Sequence, residues 1–413
     1  MTKLAILVSG EHVADVEQSG SGPITLVYRA DTSVSLSMPA AIGSYRGQRV
    51  QRWLRGLIPD DAQILSSLQR QRGVGPNDLL GLLRLIGKDC AGAIQFCDPD
   101  DIEATIHRDG RLVAMSDAEI EYRLAALQFD SAESWVMPDE HWSLGGSQPK
   151  VALRRIGDRW FTAQGNEPTT HILKPGIRRL PYQALAEYVS MATAARLGLD
   201  VAEVAYTSFI SHDALVVTRF DRRYDGGGQV ARLHQEDLCQ AMGEVSKFEE
   251  QGGPSAVDIV RFLRSRSSTS AQAQTNVDRF VTGLIYNTVI GAPDAHARNY
   301  AVLLNPDGPR LAPLFDVATG LGYTMSAWQD RKMAMSIGGT FVLDQIDAAA
   351  WIRFAADARL DASSVLEQVR SLSARVVDRM ERVFADAAYD GADALRERVL
   401  PALSAHVRRL GAV

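Results

Sequence analysis

The stretch Asp294-Ala-His-Ala-Arg-Asn299, followed 17 residues later by an aspartate in Leu-Phe-Asp316, decides the fold of this 413-residue chain. Apolar residues recur at helical spacing through 277–290, so a buried helix is predicted to run directly into the stretch. Residues 300–315 are typical of two short strands joined by a tight turn. Such a helix and hairpin would bring Asp294, Asn299 and Asp316 to one edge.

An aspartate, an asparagine five residues later and a second aspartate after a hairpin are typical of the polar core of kinase-like phosphotransferases. In such a site the first carboxylate, here Asp294, accepts or orients the proton of the attacking hydroxyl. The amide and the second carboxylate, here Asn299 and Asp316, hold Mg²⁺ against the phosphates of ATP, because hard cations prefer oxygen ligands. The alternative is a polar surface loop between a helix and a hairpin, which the spacing alone does not exclude.

A glycine-rich segment upstream is a candidate phosphate-binding loop. Adjacent glycines allow the backbone to approach an anion closely, and main-chain N–H groups in such a turn can cradle phosphate. The segment lacks the GxGxxG pattern, so an ordinary hairpin loop is the alternative interpretation. Its sequence is Ser143-Leu-Gly145-Gly146-Ser147-Gln148-Pro149-Lys150.

A lysine at the end of a predicted strand is a second candidate for phosphate binding. Residues 169–174 alternate like a short strand that ends at Lys174, whose ammonium group could reach the ATP phosphates. The next predicted helix carries Glu187, and we hypothesise an ion pair between Glu187 and Lys174. A solvated lysine and an exposed glutamate are the alternatives. The apolar strand at 215–222 fits a hinge whose backbone meets adenine.

Taken together and in order, these segments resemble the HipA family, the serine/threonine kinase toxins of bacterial toxin–antitoxin modules. The resemblance spans nearly the whole chain. Besides the glycine-rich segment and the stretch from Asp294 to Asn299, the matching segments are 36–39, 45–47, 57–61, 170–174, 218–222, 235–240 and 314–316.

The resemblance implies specific roles for residues of this chain. Asp294 would be the catalytic base, with Asn299 and Asp316 as Mg²⁺ ligands. Asn299 would also belong to the ATP-binding residues, together with Ser143, Gly145, Gly146, Ser147, Gln148, Lys150, Lys174, Arg219, Phe220 and Asp221. Arg219 and Phe220 would flank the adenine.

The resemblance also implies a mode of regulation and two kinds of partner. Ser143 aligns with the serine that family kinases autophosphorylate, although Ser147 is a second hydroxyl in the same loop and the sequence does not decide between them. The implied partners are a helix-turn-helix antitoxin similar to HipB, operator DNA reached through that antitoxin, and a protein substrate that is typically an aminoacyl-tRNA synthetase.

The expected fold class is α+β, a protein-kinase-like two-lobed fold with a small N-terminal αβ subdomain and an all-α C-lobe. The predicted boundaries are 1–105 for the subdomain, 106–138 for a linker or helical segment, 139–245 for the N-lobe with the glycine-rich loop and hinge, and 246–413 for a mainly helical C-lobe with the catalytic loop and metal-binding hairpin.

Composition limits the function classes. A net charge of −6 and a pI near 5.8 argue against strong intrinsic nucleic-acid binding, so a basic partner would make most contacts with DNA. Three cysteines do not form a disulfide framework or a zinc pattern, and they fit a reducing cytosol. No apolar run approaches the length of a membrane helix, so a cytoplasmic protein without membrane contact is expected.

Two other functions remain compatible with the sequence. A small-molecule kinase of the aminoglycoside or choline type would use a similar Asp/Asn/Asp core, although the N-terminal segments and Ser143 in the phosphate loop argue against it. A catalytically silent corepressor would need none of the three polar residues, which are all present.

Overall fold

The computed structural model describes residues 2–60, 62–75, 78–129, 139–224, 229–323 and 331–411. The chain forms two compact units. We call the first the sheet unit, which comprises Met1–Arg178, Ala205–Glu236 and Gln240–Val245. The second, the helical unit, comprises Arg179–Val204, Asp237–Cys239 and Ser246–Val413. Residues 179–204 were predicted to lie in the N-lobe, whereas the structure packs them with the helices.

The N-terminal part of the sheet unit contains a five-stranded antiparallel sheet in the order β4-β3-β2-β1-β6. Helix α1 contacts β4, and α3 contacts both β1 and β6. The elements are β1 (Thr2–Val8), β2 (Glu11–Gln18), β3 (Thr25–Tyr28), β4 (Ser44–Arg46), α1 (Gln48–Arg55), α2 (Ala62–Arg72), α3 (Leu79–Ile86), β5 (Asp89–Cys90) and β6 (Ile94–Cys97).

A six-stranded sheet in the order β12-β13-β11-β9-β10-β7 forms the rest of the sheet unit, together with the β14–β15 hairpin and a parallel pairing of β5 with β8. Its elements are α4 (Ile102–Ile106), β7 (Gly110–Met115), α5 (Asp117–Phe129), β8 (Trp142–Ser143), β9 (Val151–Ile156), β10 (Arg159–Gly165), β11 (His171–Lys174), β12 (Val204–Phe209), β13 (His212–Thr218), β14 (Arg222–Tyr224) and β15 (Val230–Arg232).

The segment predicted as a linker, residues 106–138, is part of this second sheet. Strand β7 pairs with β10 along its whole length, from Gly110 opposite Gly165 to Met115 opposite Trp160. Helix α5 follows it and contacts β13. The remainder of the predicted linker, residues 130–138, lies outside the described residues.

One hydrophobic core joins the two sheets. Leu4 and Phe96 of the first sheet and Leu153 and Leu173 of the second belong to the same cluster of buried side chains, as does Trp53 of α1. Removing a fully buried tryptophan costs about 3–5 kcal/mol in typical cores. The region 1–105 therefore shares its main core with the second sheet, and a smaller cluster of Ala5, Leu7 and Cys97 covers the other face of β1.

The helical unit is built around the long helix α11 (Ala362–Asp386). This helix contacts α6 (Gln183–Arg196), α9 (Ser270–Val289), α10 (Ala348–Asp357) and α12 (Ala392–Gly411). The apolar stripe of α11 is buried, from Val365 to Phe384. The C-lobe carries the predicted hairpin, formed by β17 (Ala301–Asn305) and β18 (Gly308–Leu311). It also carries a second hairpin that was not predicted, formed by β19 (Lys332–Ile337) and β20 (Thr340–Val342), so it is not all-α. Within the described ranges, no helix is long and apolar enough to cross a membrane.

The remaining elements are α6 (Gln183–Arg196), β16 (Gln235–Asp237), α7 (Leu238–Met242), α8 (Ala256–Arg266), α9 (Ser270–Val289), β17 (Ala301–Asn305), β18 (Gly308–Leu311), β19 (Lys332–Ile337), β20 (Thr340–Val342), α10 (Ala348–Asp357), α11 (Ala362–Asp386) and α12 (Ala392–Gly411).

Candidate active site

The C-terminal end of α9 leads directly into the candidate catalytic loop, as the sequence predicted. The N–H groups of Gly291 and Ala292 donate to the carbonyls of Thr288 and Asn287, which closes the helix. Gly291 has a φ of +58°, and a Cβ atom there would lie 2.8 Å from the side chain of Leu321. Both the backbone conformation and the lack of space require glycine at this position.

Hydrogen bonds on one carbonyl oxygen hold the turn from Asp294 to Asn299. The main-chain oxygen of Asp294 accepts from the N–H of His296 at 2.8 Å and from Nδ2 of Asn299 at 2.7 Å. Asn299 is buried, whereas the carboxylate of Asp294 is 67% exposed. The turn thus presents the carboxylate of Asp294 outward, where an incoming hydroxyl could reach it.

The segment that carries Asp316 is fastened to the same end of α9. The hydroxyl of Thr319 donates to the carbonyl of Ile290 at 2.6 Å, and the N–H of Gly320 donates to the carbonyl of Gly291 at 2.9 Å. Asp316 itself has a φ of +58°, a conformation that non-glycine residues rarely adopt and that often marks functional sites.

His296 lies close to Asp294 and is influenced by the charge of Asp316. Its ring is buried, and its Nε2 lies 3.6 Å from Oδ1 of Asp294, which is beyond hydrogen-bond distance. Burial and the nearby charge of Lys247 lower the pKa of His296 to about 4, and the charge of Asp316 opposes this shift. The imidazole is therefore neutral at pH 7. A neutral, buried ring packed against Phe248 fits a structural role in the loop.

Two residues at this site were missed by sequence reasoning. The carbonyl of Lys247 accepts from the N–H of Ala297 at 3.4 Å, and the Phe248 ring stands edge-on to His296 with 5.1 Å between ring centroids. A lysine beside an aromatic residue carries no distinctive spacing, so only the folded chain reveals the contact. Lys247 places a positive charge close to the catalytic loop.

The oxygen ligands present fit Mg²⁺. Nδ2 of Asn299 is committed to the Asp294 carbonyl, which leaves the amide oxygen as the end that can coordinate a cation. Asp316 supplies a carboxylate from the same helix end. The described ranges contain no group of three or more His, Cys, Asp or Glu arranged to hold a metal. Mg²⁺ does not require one, because it is usually bound by one or two carboxylates plus substrate phosphates.

The candidate phosphate loop lies in the sheet unit and is internally ordered. Ser143 is fully buried, and its hydroxyl donates to the carbonyl of Leu57. Gly146 has a φ of +95°, and a Cβ atom there would lie 3.0 Å from Nζ of Lys150. That ammonium group donates to the carbonyl of Gly145 at 2.6 Å and so closes the loop on itself.

The two serines of this loop differ sharply in exposure. Ser147 is exposed and its neighbour Gln148 is half-buried, whereas the Ser143 side chain has no access to solvent. An incoming kinase site could reach Ser147 in this conformation. It could reach Ser143 only after β8 has left its place beside β5.

Lys174 lies beside the phosphate loop in the sheet. Strand β11 pairs with β9 so that Leu173 is opposite Val151. If this antiparallel register continued by one residue, Lys174 would lie opposite Lys150, the residue before β9. Lys174 is buried at the end of this central strand. The sheet unit thus brings two of the predicted phosphate-binding lysines together. The hypothesised partner Glu187 is buried in α6 of the helical unit, and the ion pair stays a prediction.

Arg219 and Asp221 form a buried ion cluster instead of lining an open pocket. Arg219 donates to both carboxylate oxygens of Asp221, at 3.0 and 2.9 Å, and to Asp89 at 3.2 Å. Its remaining donor contacts are with the Thr169 hydroxyl and the Cys90 carbonyl. The guanidinium group of Arg219 is thus engaged within the cluster, and the roles of Arg219, Phe220 and Asp221 in nucleotide binding stay predictions.

Comparisons with known proteins agree with this architecture. A family model for the HipA N-terminal domain matches residues 4–97, and one for the HipA-like C-terminal domain matches residues 142–383. The Y4mE protein of Sinorhizobium fredii is 34% identical over 359 residues, covering 86% of this chain and 83% of that protein. The serine/threonine-protein kinase toxin HipA of Shewanella oneidensis is 27% identical over 359 residues, covering 83% of this chain and 78% of that protein.

A solved structure confirms the fold class. Shewanella oneidensis HipA, in its complex with HipB and operator DNA, superposes with a TM-score of 0.82 at 22% identity, over 98% of this chain and 97% of that one. The predicted α+β, kinase-like two-lobed fold is thereby confirmed. The two family models together with the 34% identical relative show that the chain belongs to the HipA family.

Proposed function

We propose that this protein is an ATP- and Mg²⁺-dependent serine/threonine protein kinase that acts as the toxin of a toxin–antitoxin system. The observation that carries the proposal is the attachment of Asp294, Asn299 and Asp316 to one end of α9, with the Asp294 carboxylate exposed. An exposed base beside two buried or half-buried oxygen ligands is what phosphoryl transfer to a hydroxyl requires.

In the proposed reaction, the Asp294 carboxylate accepts the proton of the target serine hydroxyl as that oxygen bonds to the γ-phosphorus. The bond between the γ-phosphorus and the bridging oxygen breaks, and ADP leaves with that electron pair. Bound Mg²⁺ supplies neutralisation of the phosphate charge, and the oxygens of Asn299 and Asp316 would hold it. Lys150, Lys174 and the N–H groups of the glycine-rich loop are proposed to hold the phosphates of ATP.

Autophosphorylation at Ser143 is proposed as the off-switch. A phosphoserine carries about −1.5 to −2 charges at pH 7 and cannot stay where the Ser143 hydroxyl now donates to the Leu57 carbonyl. Two acceptors would face each other in a buried site, so β8 and the loop after it would be expelled. Loss of the ordered loop would remove the proposed phosphate cradle.

The proposed partners follow from relatives. The HipA structure that superposes on this chain was solved with HipB and operator DNA. We propose an antitoxin similar to HipB for this chain, through which it would reach operator DNA, since a net charge of −6 does not favour direct contact with DNA. The proposed protein substrate is an aminoacyl-tRNA synthetase in the cytosol, whose phosphorylation would arrest growth.

The decisive experiment is a kinase assay with γ-labelled ATP and Mg²⁺, comparing the wild type with Asp294→Asn and Asp316→Asn. Label on the wild-type protein, mapped to Ser143, and none on either variant would support the proposal. Label on a small metabolite and none on protein would favour a small-molecule kinase. Absence of any transfer, with operator repression intact in the Asp294→Asn variant, would favour a silent corepressor.

A further inference from the structure

A small polar cavity lies in the sheet unit, where the first sheet meets β15. Its volume is about 70 Å³, and its walls include Ser9, Gln95, Thr105, Arg108 and Arg232. At about 30 Å³ per water molecule, it has room for two waters or one small ion but not for a nucleotide. None of these residues belongs to the candidate active site.

Arg232, in the wall of the cavity, belongs to a buried ion cluster with a surplus of positive charge. Among the described residues, Arg219, Arg222 and Arg232 of this cluster pair with two carboxylates, those of Asp89 and Asp221. All five side chains are buried. Burial and the neighbouring arginines lower the pKa of Arg232 to about 10, although Asp89 opposes the shift. Buried charge without a counter-charge is costly, so a nearby anion would be stabilising.

Two guanidinium groups still have hydrogen-bonding capacity at the cavity. Arg232 is 95% buried; its Nε donates to Asp89 at 3.0 Å and one terminal nitrogen donates to the Asn166 carbonyl at 2.9 Å. These two bonds use two of the three nitrogens of its guanidinium group. Arg108 donates once, from Nη1 to the Val230 carbonyl at 3.0 Å, and makes no ion pair within the described part of the chain.

The backbone holds Arg108 at this wall in an unusual conformation. Arg108 has a φ of +59°, in the left-handed region that an arginine rarely adopts. The turn is kept by the bond from its N–H to the Thr105 carbonyl at 3.2 Å and by that from the N–H of Asp109 to the Ala104 carbonyl at 2.8 Å.

One wall of the cavity offers an acceptor. Nε2 of Gln95 donates to the Lys88 carbonyl at 3.0 Å, so its Oε1 is the end of the amide that can accept a hydrogen bond. Hydrogenphosphate carries a proton at neutral pH and can donate to such an oxygen, whereas sulfate cannot. Guanidinium groups match the geometry of both anions, so the acceptor decides between them.

We propose that this cavity is a binding site for inorganic phosphate, held by Arg108 and Arg232 and recognised as its protonated form by Oε1 of Gln95. The bound ion would balance the surplus charge of the arginine cluster where the two sheets of this unit share their core. This proposal is independent of the kinase activity.

Thermal unfolding of the full chain tests the site, with phosphate and sulfate compared at equal ionic strength. At ten times its dissociation constant, phosphate should raise the ratio of folded to unfolded protein roughly 11-fold, and the Tm of a chain of this length by about 1–2 °C. Sulfate should raise the Tm less. Arg108→Gln should abolish the difference, and Arg108→Lys, which keeps the charge but loses the planar fork, should reduce it.

Two control variants separate this site from other effects. Arg223→Gln removes an exposed arginine from β14 and should respond to phosphate as the wild type does. Lys174→Met alters the candidate nucleotide site and should also keep the response. Equal shifts with phosphate and sulfate, an unchanged response in Arg108→Gln, or loss of the response in Lys174→Met would overturn the proposal.

Discussion

Nδ2 of Asn299 lies 2.7 Å from the main-chain oxygen of Asp294, so the residue proposed as a metal ligand also holds the turn that carries the proposed base. These two tasks use opposite ends of one amide. The nitrogen donates within the turn, and the oxygen is left for a cation. An aspartate at this position would keep the ligand and lose the donor.

We therefore expect Asn299→Asp to lose activity although a carboxylate is a good Mg²⁺ ligand. The new oxygen would face the Asp294 carbonyl without a hydrogen, and the turn would open. Loss of a group that orients a metal site typically costs 10–100-fold. The measurement is kcat as a function of Mg²⁺ concentration, with Asn299→Ala as the comparison. Recovery of wild-type kcat at high Mg²⁺ in Asn299→Asp would contradict the double role.

The paired glycines of the phosphate loop should differ in their tolerance of alanine. Gly146→Ala adds a Cβ atom 3.0 Å from Nζ of Lys150 at a φ of +95°, so it should distort the loop and raise the KM for ATP. Gly145→Ala is the matched control, because its Cβ would meet the Gly56 carbonyl at an ordinary 3.5 Å. An equal rise in the KM for both variants would argue against a loop geometry specific to Gly146.

The two serines of the loop should respond differently to a negative charge. Ser143→Asp places a carboxylate in a fully buried site beside the Leu57 carbonyl, so we expect the loop to be released and activity to be lost. Ser147→Asp lies on the surface and should fold normally. Limited proteolysis of the loop, together with kinase activity, distinguishes them. A loop that stays protected from proteolysis in Ser143→Asp would contradict the proposed off-switch.

Substitutions in the buried ion cluster should lower the stability of the protein and leave its affinity for nucleotide nearly unchanged. Asp89→Asn leaves buried arginines without their shared carboxylate, and breaking such a pair costs about 3–5 kcal/mol. Arg219→Met should likewise lower the free energy of unfolding, measured by denaturant titration. The fraction that remains folded should bind ATP with nearly unchanged affinity. A large loss of ATP affinity with normal stability would restore the predicted contact of the Arg219 side chain with nucleotide.

The local parts of the site could be predicted from the sequence, because each rests on a short-range pattern. The helical spacing of apolar residues before Asp294, and the strand and turn signals after Asn299, are local and strong. Strand β7 was missed because its side chains are mostly exposed and carry no apolar alternation.

The contacts that sequence reasoning could not reach join residues far apart in the chain. Asp89 and Arg219 are 130 positions apart, and nothing near either residue indicates the other. The strand at 215–222 was predicted to form the hinge, with Arg219 and Phe220 flanking the adenine. The side chains of Arg219, Asp221 and Arg222 lie in a buried ion cluster. The contact of Lys247 with the candidate catalytic loop was missed for the same reason, because no spacing in the sequence indicates it.

The shared core of the two sheets has a consequence for how this protein can be divided. The two family models separate cleanly in sequence, at residues 97 and 142. In space the first region contributes Asp89 to arginines of the second and fills the same apolar interior. A truncated gene that begins near residue 106 would encode aggregation-prone protein, with apolar surface and unbalanced arginines uncovered. The N-terminal region is thus an indispensable half of one folding unit, and deletion studies should be read accordingly.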